Sequence, residues 1–223
     1  MSTTDLRTPR KRALAAATLA AAMAVLAAPA WADEGMTLQG SVDPMDDAGK
    51  PVGCQASFGV ARRDLEYGAG GASLAVGALA VMTVDGQPRV ALKLGLLDAE
   101  ATDKVMSKGG EMQAVAPVSV SLLEDGGDPH VNNSAESLGS GTAEQGFGVY
   151  RFAAGPVTRR VLAQAARNGR FKVSYVLRDG GPTVRFAVDV TVSKRDMMHS
   201  DNTVIDPKAA TALAACVAQV LKP

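Results

Sequence analysis

The fold is decided by the stretch RFKVSYVLRDGGPTVRFAVDVTV, residues 170–192. Apolar side chains recur at every second position over 171–177 and again over 184–192. Alternation of this kind is typical of a strand with one buried face, and the polar residues 179–182 (Asp-Gly-Gly-Pro) are typical of a tight turn. The stretch therefore predicts an antiparallel hairpin, and with it a fold built mainly from strands.

Shorter runs elsewhere also predict strands. They lie at 36–42, 54–61, 74–84, 88–97, 114–123 and 147–152. The turn-forming residues 85–88 (Asp-Gly-Gln-Pro) separate two of these runs and predict a second hairpin. Serine alternates with valine and leucine over 118–122, so Ser119 and Ser121 are expected to face away from the core.

Two segments predict helices instead. Pro156 is placed to begin a helix, apolar residues follow at helical spacing, and Asn168-Gly169 can end it. Asp206 is a good N-cap for a second amphipathic segment. The predicted fold is mainly β: an antiparallel β-sandwich or distorted barrel, with a short helix at 156–168 and a C-terminal helix at 206–221 packed on the sheet.

The first 32 residues have the pattern of a cleaved signal peptide. Basic residues lie at Arg7 and at 10–12, an Ala/Leu-rich run covers 13–28, and Ala30-Trp31-Ala32 is a small-x-small cleavage site. The apolar run is shorter than the roughly 20 residues that a membrane span needs. We therefore expect a single exported domain at 33–223 of a bacterial protein, periplasmic or secreted, with no stable membrane span after cleavage.

The charge balance argues against a nucleic-acid partner. The whole chain has 23 Lys+Arg and 23 Asp+Glu. Cleavage removes four basic residues and one acidic residue, which leaves 19 against 22 and a net charge of −3. Proteins that hold nucleic acid or an anionic membrane by bulk charge carry the opposite sign.

The two cysteines lie near opposite ends of the expected domain. In an oxidising compartment two thiols of one chain usually pair, so Cys54 and Cys216 are predicted to form a disulfide that fastens the last helix to the sheet. A redox or nucleophilic thiol is the open alternative, although the chain has no Cys-x-x-Cys motif.

A polar, glycine-rich segment at 125–146 has almost no apolar periodicity. Little burial offsets its ordering entropy, so it is expected to be a mobile, solvated loop that limited proteolysis cuts first. It also contains the material for a hydrolase, with Ser140 or Ser134 as nucleophile and His130 as base. The surroundings of Ser140 lack the spacing of a nucleophile elbow.

A second cluster of reactive residues is Met197-Met198-His199. Thioether and imidazole groups suit soft copper ions, which makes a periplasmic copper-handling protein the alternative function. Adjacent residues of an extended strand face opposite ways, so the three cannot all reach one ion from a strand. A loop that covers a sheet edge accounts for them equally well, and neither a metal nor a cofactor is assigned.

The order of elements at the C-terminal end also resembles a known family. A short helix, the Asn168-Gly169 turn, strands around Val173 and Val188 and an Ala-rich closing helix lie within 158–221. This order resembles the invasion-associated locus B family of exported alphaproteobacterial proteins. The resemblance implies an exported, β-rich fold and supplies no catalytic residues. The chain lacks the family's additional cysteine pairs, and it has the residues 197–202 where a Gly-Phe step usually leads into the last helix.

Three functions of different classes follow from these patterns. The leading hypothesis is a non-enzymatic exported β-domain that binds another cell-envelope component, protein or ligand, through its sheet edge or its long loop. Copper handling and Ser/His hydrolysis are the second and third hypotheses. The first is preferred because strand and helix periodicity accounts for most residues and leaves no catalytic constellation.

Overall fold

A computed structural model describes residues 35–67, 71–98, 113–196 and 202–222. Over these ranges the chain forms the strands β1 (Met36–Asp47), β2 (Lys50–Arg63), β3 (Ala72–Val84), β4 (Gln87–Asp98), β5 (Ser119–Leu123), β6 (Ser137–Thr142), β7 (Gly148–Ala153), β8 (Arg170–Val176), β9 (Val184–Asp189), β10 (Val192–Arg195) and β11 (Thr203–Ile205), and the helices α1 (Pro156–Asn168) and α2 (Pro207–Val220). Short 3-10 turns at Ser134–Glu136 and Glu144–Gly146 flank β6. The predicted mainly β fold with a short and a C-terminal helix is confirmed.

The strands form two antiparallel sheets and a small ribbon. The large sheet is open and has the order β1-β2-β3-β4-β7-β6, the second has the order β5-β8-β9, and β10 pairs with β11. The turn between β3 and β4 is tighter than predicted, because only Asp85 and Gly86 lie outside the pairing of Val84 with Gln87. Both turn residues have positive φ, 49° and 72°, as a two-residue type I′ turn requires.

The core lies between the two sheets. Alternate residues of β2, including Phe58, face inward from the large sheet. The Phe58 ring lies 5.9 Å from Phe171 of β8 and 6.1 Å from Phe186 of β9, measured between ring centroids. Edge and tilted contacts of this kind are favoured by the aromatic quadrupole, and they join the two layers of the sandwich.

The predicted hairpin at 170–192 is confirmed as β8 and β9, but its second strand is shorter than expected. The Asp189 carboxylate accepts hydrogen bonds from the backbone N–H and the hydroxyl of Thr191, at 3.0 and 2.6 Å. This side-chain turn ends β9 before Val190. The apolar alternation continues past the turn because Val190 and Val192 are buried as well, which is why the pattern alone did not show the break.

Helix α1 has the predicted bounds, and α2 is one residue shorter than predicted at each end, because Asp206 and Leu221 are its caps. Helix α1 has proline in its first turn and stops at Gly169, whose left-handed φ of 68° lets its N–H donate to the Ala165 carbonyl. Helix α2 is capped by Asp206, which accepts from the Lys208 N–H at 2.9 Å. The buried residues of α2 are Ala209, Leu213, Cys216, Val217 and Val220.

A disulfide joins Cys54 to Cys216, as predicted, with 6.0 Å between the two Cα atoms. Cys54 lies within β2 rather than at its start, and it tethers α2 to the inner face of the large sheet. Such bonds persist in oxidising compartments, so the disulfide is consistent with a location outside the cytoplasm. In the described part of the chain, neither helix has the length and apolar character of a membrane span.

Two predictions about the middle of the chain are wrong. The strand expected at 114–123 is shorter than predicted, because only Ser119–Leu123 form β5. Val115 instead forms an isolated bridge with Leu96 of β4. The segment 125–146 is not one irregular loop, because it contains β6 and the two 3-10 turns. Whether it is the most mobile part of the mature chain stays a prediction.

Candidate functional site

Strand β6 is one edge of the large sheet, and it comes from the segment that was expected to be a loop. It pairs with β7 on one side only, with Ser140 opposite Tyr150. All six of its residues are exposed, including Leu138 at 49%. A bulge at Leu138 interrupts only its start, so 139–142 keep regular pairing with β7.

Among the described residues, the outer side of β6 has only one of the devices that usually protect a sheet edge, the bulge at its start. Native edges are blunted by charges, proline or a covering element, because unpaired N–H and C=O groups recruit other strands. Residues 137–142 read Ser-Leu-Gly-Ser-Gly-Thr and contain neither a charge nor a proline. A Cβ built on Gly141 would meet nothing within 4 Å. Among the described residues, β6 therefore offers accessible backbone hydrogen-bonding groups beyond Gly139, whose N–H donates to the Ser137 hydroxyl.

The opposite edge, β1, is protected. It carries Pro44 and three aspartates. Its backbone also lies against the end of β9, since a Cβ built on Gly40 would be 2.8 Å from the Val190 Cα. The Asp189 N–H donates to the Thr37 hydroxyl at 3.0 Å. Among the described residues, the two edges of the large sheet thus differ in charge, proline content and covering contacts, all of which limit strand addition.

Asn133 holds the start of this segment in place. Its side chain is fully buried; the Oδ1 atom accepts from the Leu122 N–H at 2.7 Å, and the amide nitrogen donates to the Thr158 hydroxyl at 3.0 Å. The backbone N–H of Asn133 donates to the Leu122 carbonyl as well. One side chain thus joins the segment to both β5 and α1, which fixes the point from which β6 departs.

Glu136 fixes the segment one turn later. Its two carboxylate oxygens accept from the backbone N–H groups of Val157 and Thr158, each at 2.8 Å. Partial burial opposes ionisation, but the hydrogen bonds from Thr158 and Val157 and the nearby charge of Arg160 outweigh it, so the pKa of Glu136 is lowered. The ionised side chain therefore caps α1 from outside the helix.

A polar cleft of about 230 Å³ lies beside this segment, on the solvent side of the second sheet. Its floor contains a row of three directly paired residues, Ser121 of β5, Ser174 of β8 and Arg185 of β9. The two serine Oγ atoms are 2.7 Å apart, and both side chains are more than nine-tenths buried. The predicted outward direction of Ser121 is correct.

The roof of the cleft is formed by Pro129, His130, Asn132 and Ser134. Arg185 links floor to roof, with Nη2 donating to the Pro129 carbonyl at 3.5 Å. The structure thus brings His130 and Ser134 into one cleft, but among the described residues no hydrogen bond joins their side chains. Ser140 lies on β6 of the other sheet and does not line this cleft. The hydrolase hypothesis stays a prediction.

A second cleft, of about 270 Å³, lies on the outer face of the large sheet. Small polar side chains such as Ser41 and Ser57 line it, together with Lys93 and Phe147. The Lys93 ammonium lies 4.8 Å from the centre of the Phe147 ring. The Lys93 ammonium group therefore makes a cation–π contact with the Phe147 ring.

The buried cation Arg62 is held by side chains of the fold rather than by either cleft. Its guanidinium donates to Glu66 at 2.7 Å and to the Tyr175 hydroxyl at 3.3 Å, and its side chain is only 2% exposed. Burial disfavours the charge, but these partners more than compensate and raise the pKa of Arg62. Burial likewise raises the pKa of Tyr175 to about 12. Arg62 ties β2 to β8 and lines neither cleft, although its partner Tyr175 is one of the residues that line the polar cleft.

The predicted copper ligands Met197, Met198 and His199 lie outside the described residues. Within the described ranges no group of three or more His, Cys, Asp or Glu side chains could hold a metal ion. Copper handling stays a prediction, and metal analysis of the purified protein is its direct test.

The floor of the polar cleft is what sequence reasoning missed. Alternation placed Ser121 on the solvent side of its strand, but the residues opposite it follow from the register of β5 against β8, which depends on contacts 53 residues apart. Comparison of the chain with protein-family models, curated proteins and solved structures found no match. The resemblance to the invasion-associated locus B family therefore stays a prediction, and the function has to be argued from the site itself.

Proposed function

We propose that this chain is an exported, non-enzymatic β-domain that binds another component of a bacterial cell envelope by strand addition at β6. The observation that carries the proposal is the contrast between the two edges of the large sheet. The β1 edge has proline, aspartates and covering contacts, whereas residues 137–142 of β6 contain no proline and no charge and are covered by none of the described residues. Selection against edge-to-edge pairing is relaxed where pairing is the function.

The expected occupant is an extended polypeptide segment of the partner. Outward-facing backbone N–H and C=O groups along 140–142 would supply hydrogen bonds that do not depend on the partner's sequence, whereas the Gly139 N–H already donates to the Ser137 hydroxyl at 3.3 Å. Glycine at 139 and 141 leaves room for the partner's side chains beside the strand. Asn133 and Glu136 hold the segment before binding, so little ordering entropy opposes the addition of a strand.

Location in the periplasm, or secretion, belongs to the same proposal. The signal-peptide pattern of residues 1–32 and the resemblance of 158–221 to an exported family support it. The Cys54–Cys216 disulfide is consistent with it, because such bonds form in oxidising compartments.

The test is capture of partners from envelope extracts with the tagged mature protein. Ser140→Lys places a charge in the middle of the exposed edge, and Thr83→Lys places the same charge at an exposed strand residue of β3 as a matched control. We expect a protein that is retained by the parent and by Thr83→Lys and is lost with Ser140→Lys. Capture that is equal for all three, or no protein whose capture depends on residue 140, contradicts strand addition at β6.

A further inference from the structure

We infer that the polar cleft between β5, β8, β9 and the 129–134 segment is a binding site for the oxyanion group of a small molecule, a carboxylate or a phosphate. Arg185 is the charge partner in this site, and Ser121 and Ser174 are the hydroxyl donors. The site is separate from the β6 edge, because its floor belongs to the other sheet.

The buried serine pair is the first observation that points to a ligand. Each hydroxyl has one O–H donor and two acceptor lone pairs. Their mutual hydrogen bond of 2.7 Å uses one donor, and none of the described residues accepts from the second O–H. Buried polar groups are normally satisfied, and here the space above them is the cleft. An acceptor bound in the cleft would satisfy the remaining donor.

Arg185 determines the charge of that acceptor. It lies next to Ser174 across the β8–β9 pair, and among the described residues only its Nη2 donates to the roof, at 3.5 Å. Among the described residues, none of the side chains that line the cleft is a carboxylate. The nearby Asp128 carboxylate accepts from the His130 N–H instead. A guanidinium fork beside neutral hydroxyls favours an oxyanion.

The size of the cleft limits the ligand. A volume of about 230 Å³ corresponds to roughly eight water molecules. Sites for drug-sized ligands begin at roughly 300 Å³. Further hydroxyl and amide groups, from Ser119, Thr183 and Asn132, also line the cleft. The site therefore suits a small polar acid whose anionic group meets Arg185 and whose remainder contacts these groups.

Titration of the full mature protein with inorganic phosphate, acetate and glycerol, followed by the backbone amide NMR signals, tests the inference. We expect saturable shifts of the Ser121, Ser174 and Arg185 signals with at least one anion, and none with glycerol. Arg185→Gln should weaken the anion affinity about tenfold or more, since hydrogen bonds to charged groups are the strong ones. Arg89→Gln removes an exposed arginine from β4 and should leave the affinity unchanged.

The outcomes separate the possible sources of the oxyanion. Shifts with acetate alone assign a carboxylate, and shifts with phosphate alone assign a phosphate. Arg185→Lys keeps the positive charge but removes the bidentate guanidinium. An anion affinity between those of the parent and of Arg185→Gln would show that the charge contributes to binding. Absence of shifts with both anions, equal affinity in Arg185→Gln, or comparable shifts with glycerol overturns the inference. None of these results depends on Ser140, so the strand-addition proposal stands or falls separately.

Discussion

The carboxylate of Glu136 accepts a hydrogen bond from the backbone N–H of Thr158 at 2.8 Å, and this contact joins the start of β6 to the first turn of α1. The same segment is held by Asn133, one turn earlier. An edge strand that was expected to be a loop is therefore anchored to the helix layer of the fold.

Glu136→Gln tests the electrostatic part of this anchor. The change keeps one acceptor oxygen and removes the charge, and we expect a loss of about 1 kcal/mol in the free energy of unfolding at pH 7. The folded-state pKa lies below the ordinary 4.5, so the stabilisation is present above that pH and is lost as the pH falls through the folded-state value. Urea denaturation at several pH values measures the difference.

The control for this experiment is Glu144→Gln, which removes an exposed carboxylate from the 3-10 turn on the other side of β6. It should change stability by less than about 0.5 kcal/mol. A Glu136→Gln penalty that stays constant from pH 7 down to strongly acidic pH would show that the charge does not contribute to the cap.

Asn133→Ala tests the buried part of the anchor. It removes an acceptor from the Leu122 N–H and a donor to the Thr158 hydroxyl, both inside the protein. Leaving such groups unsatisfied costs about 1–3 kcal/mol each, so we expect a total loss of about 3 kcal/mol. Limited proteolysis should then cut within 125–146 faster than in the parent. Unchanged cleavage in Asn133→Ala would show that this side chain does not order the segment.

Loss of the disulfide should act mainly on α2. The bond closes a loop of 162 residues, for which the chain-entropy model gives about 5 kcal/mol before strain is subtracted. We expect the Cys54→Ser, Cys216→Ser double variant to lose a few kcal/mol, and its α2 amides to exchange hydrogen before those of the large sheet. Mass spectrometry of the unreduced parent is the control. Two free thiols, or a dimer lost on reduction, would contradict the intramolecular bond.

Two substitutions of Arg62 are expected to lower the free energy of unfolding by unequal amounts. Arg62→Ala leaves the Tyr175 hydroxyl without its partner and opens a cavity, and we expect a loss of about 3 kcal/mol. Arg62→Met keeps the apolar stem and removes a buried charge whose Nε atom has no hydrogen-bond partner among the described residues, so its loss should be less than half as large. Denaturant unfolding of both variants provides the comparison. Equal losses would contradict this account of the buried cation.

Local patterns predicted the parts of the fold that depend on local physics. The alternation around Phe171 and Phe186 predicted the hairpin, and proline with glycine or an N-cap predicted both helices. Cys54 and Cys216 were paired correctly because the compartment, rather than the spacing, argues for pairing.

The features that escaped prediction depend on long-range partners. Strand β6 consists of serine, glycine, leucine and threonine, which show no strand signal until β7 supplies the hydrogen bonds. Asn133 is polar, and its burial is possible because its side chain is hydrogen-bonded to Leu122 and Thr158. The pairing of Ser121 with Ser174 likewise requires the register of β5 against β8.

The most direct test of the central claim is photo-crosslinking of the protein in the cells that produce it. A photoreactive residue is placed at Ser140, in the open edge, and separately at Asp43, an exposed position on the protected edge of the same sheet. The account predicts a specific adduct from position 140 that Leu138→Lys weakens, and no such adduct from position 43. Equal adducts from both positions, or no adduct from position 140, would contradict strand addition at β6.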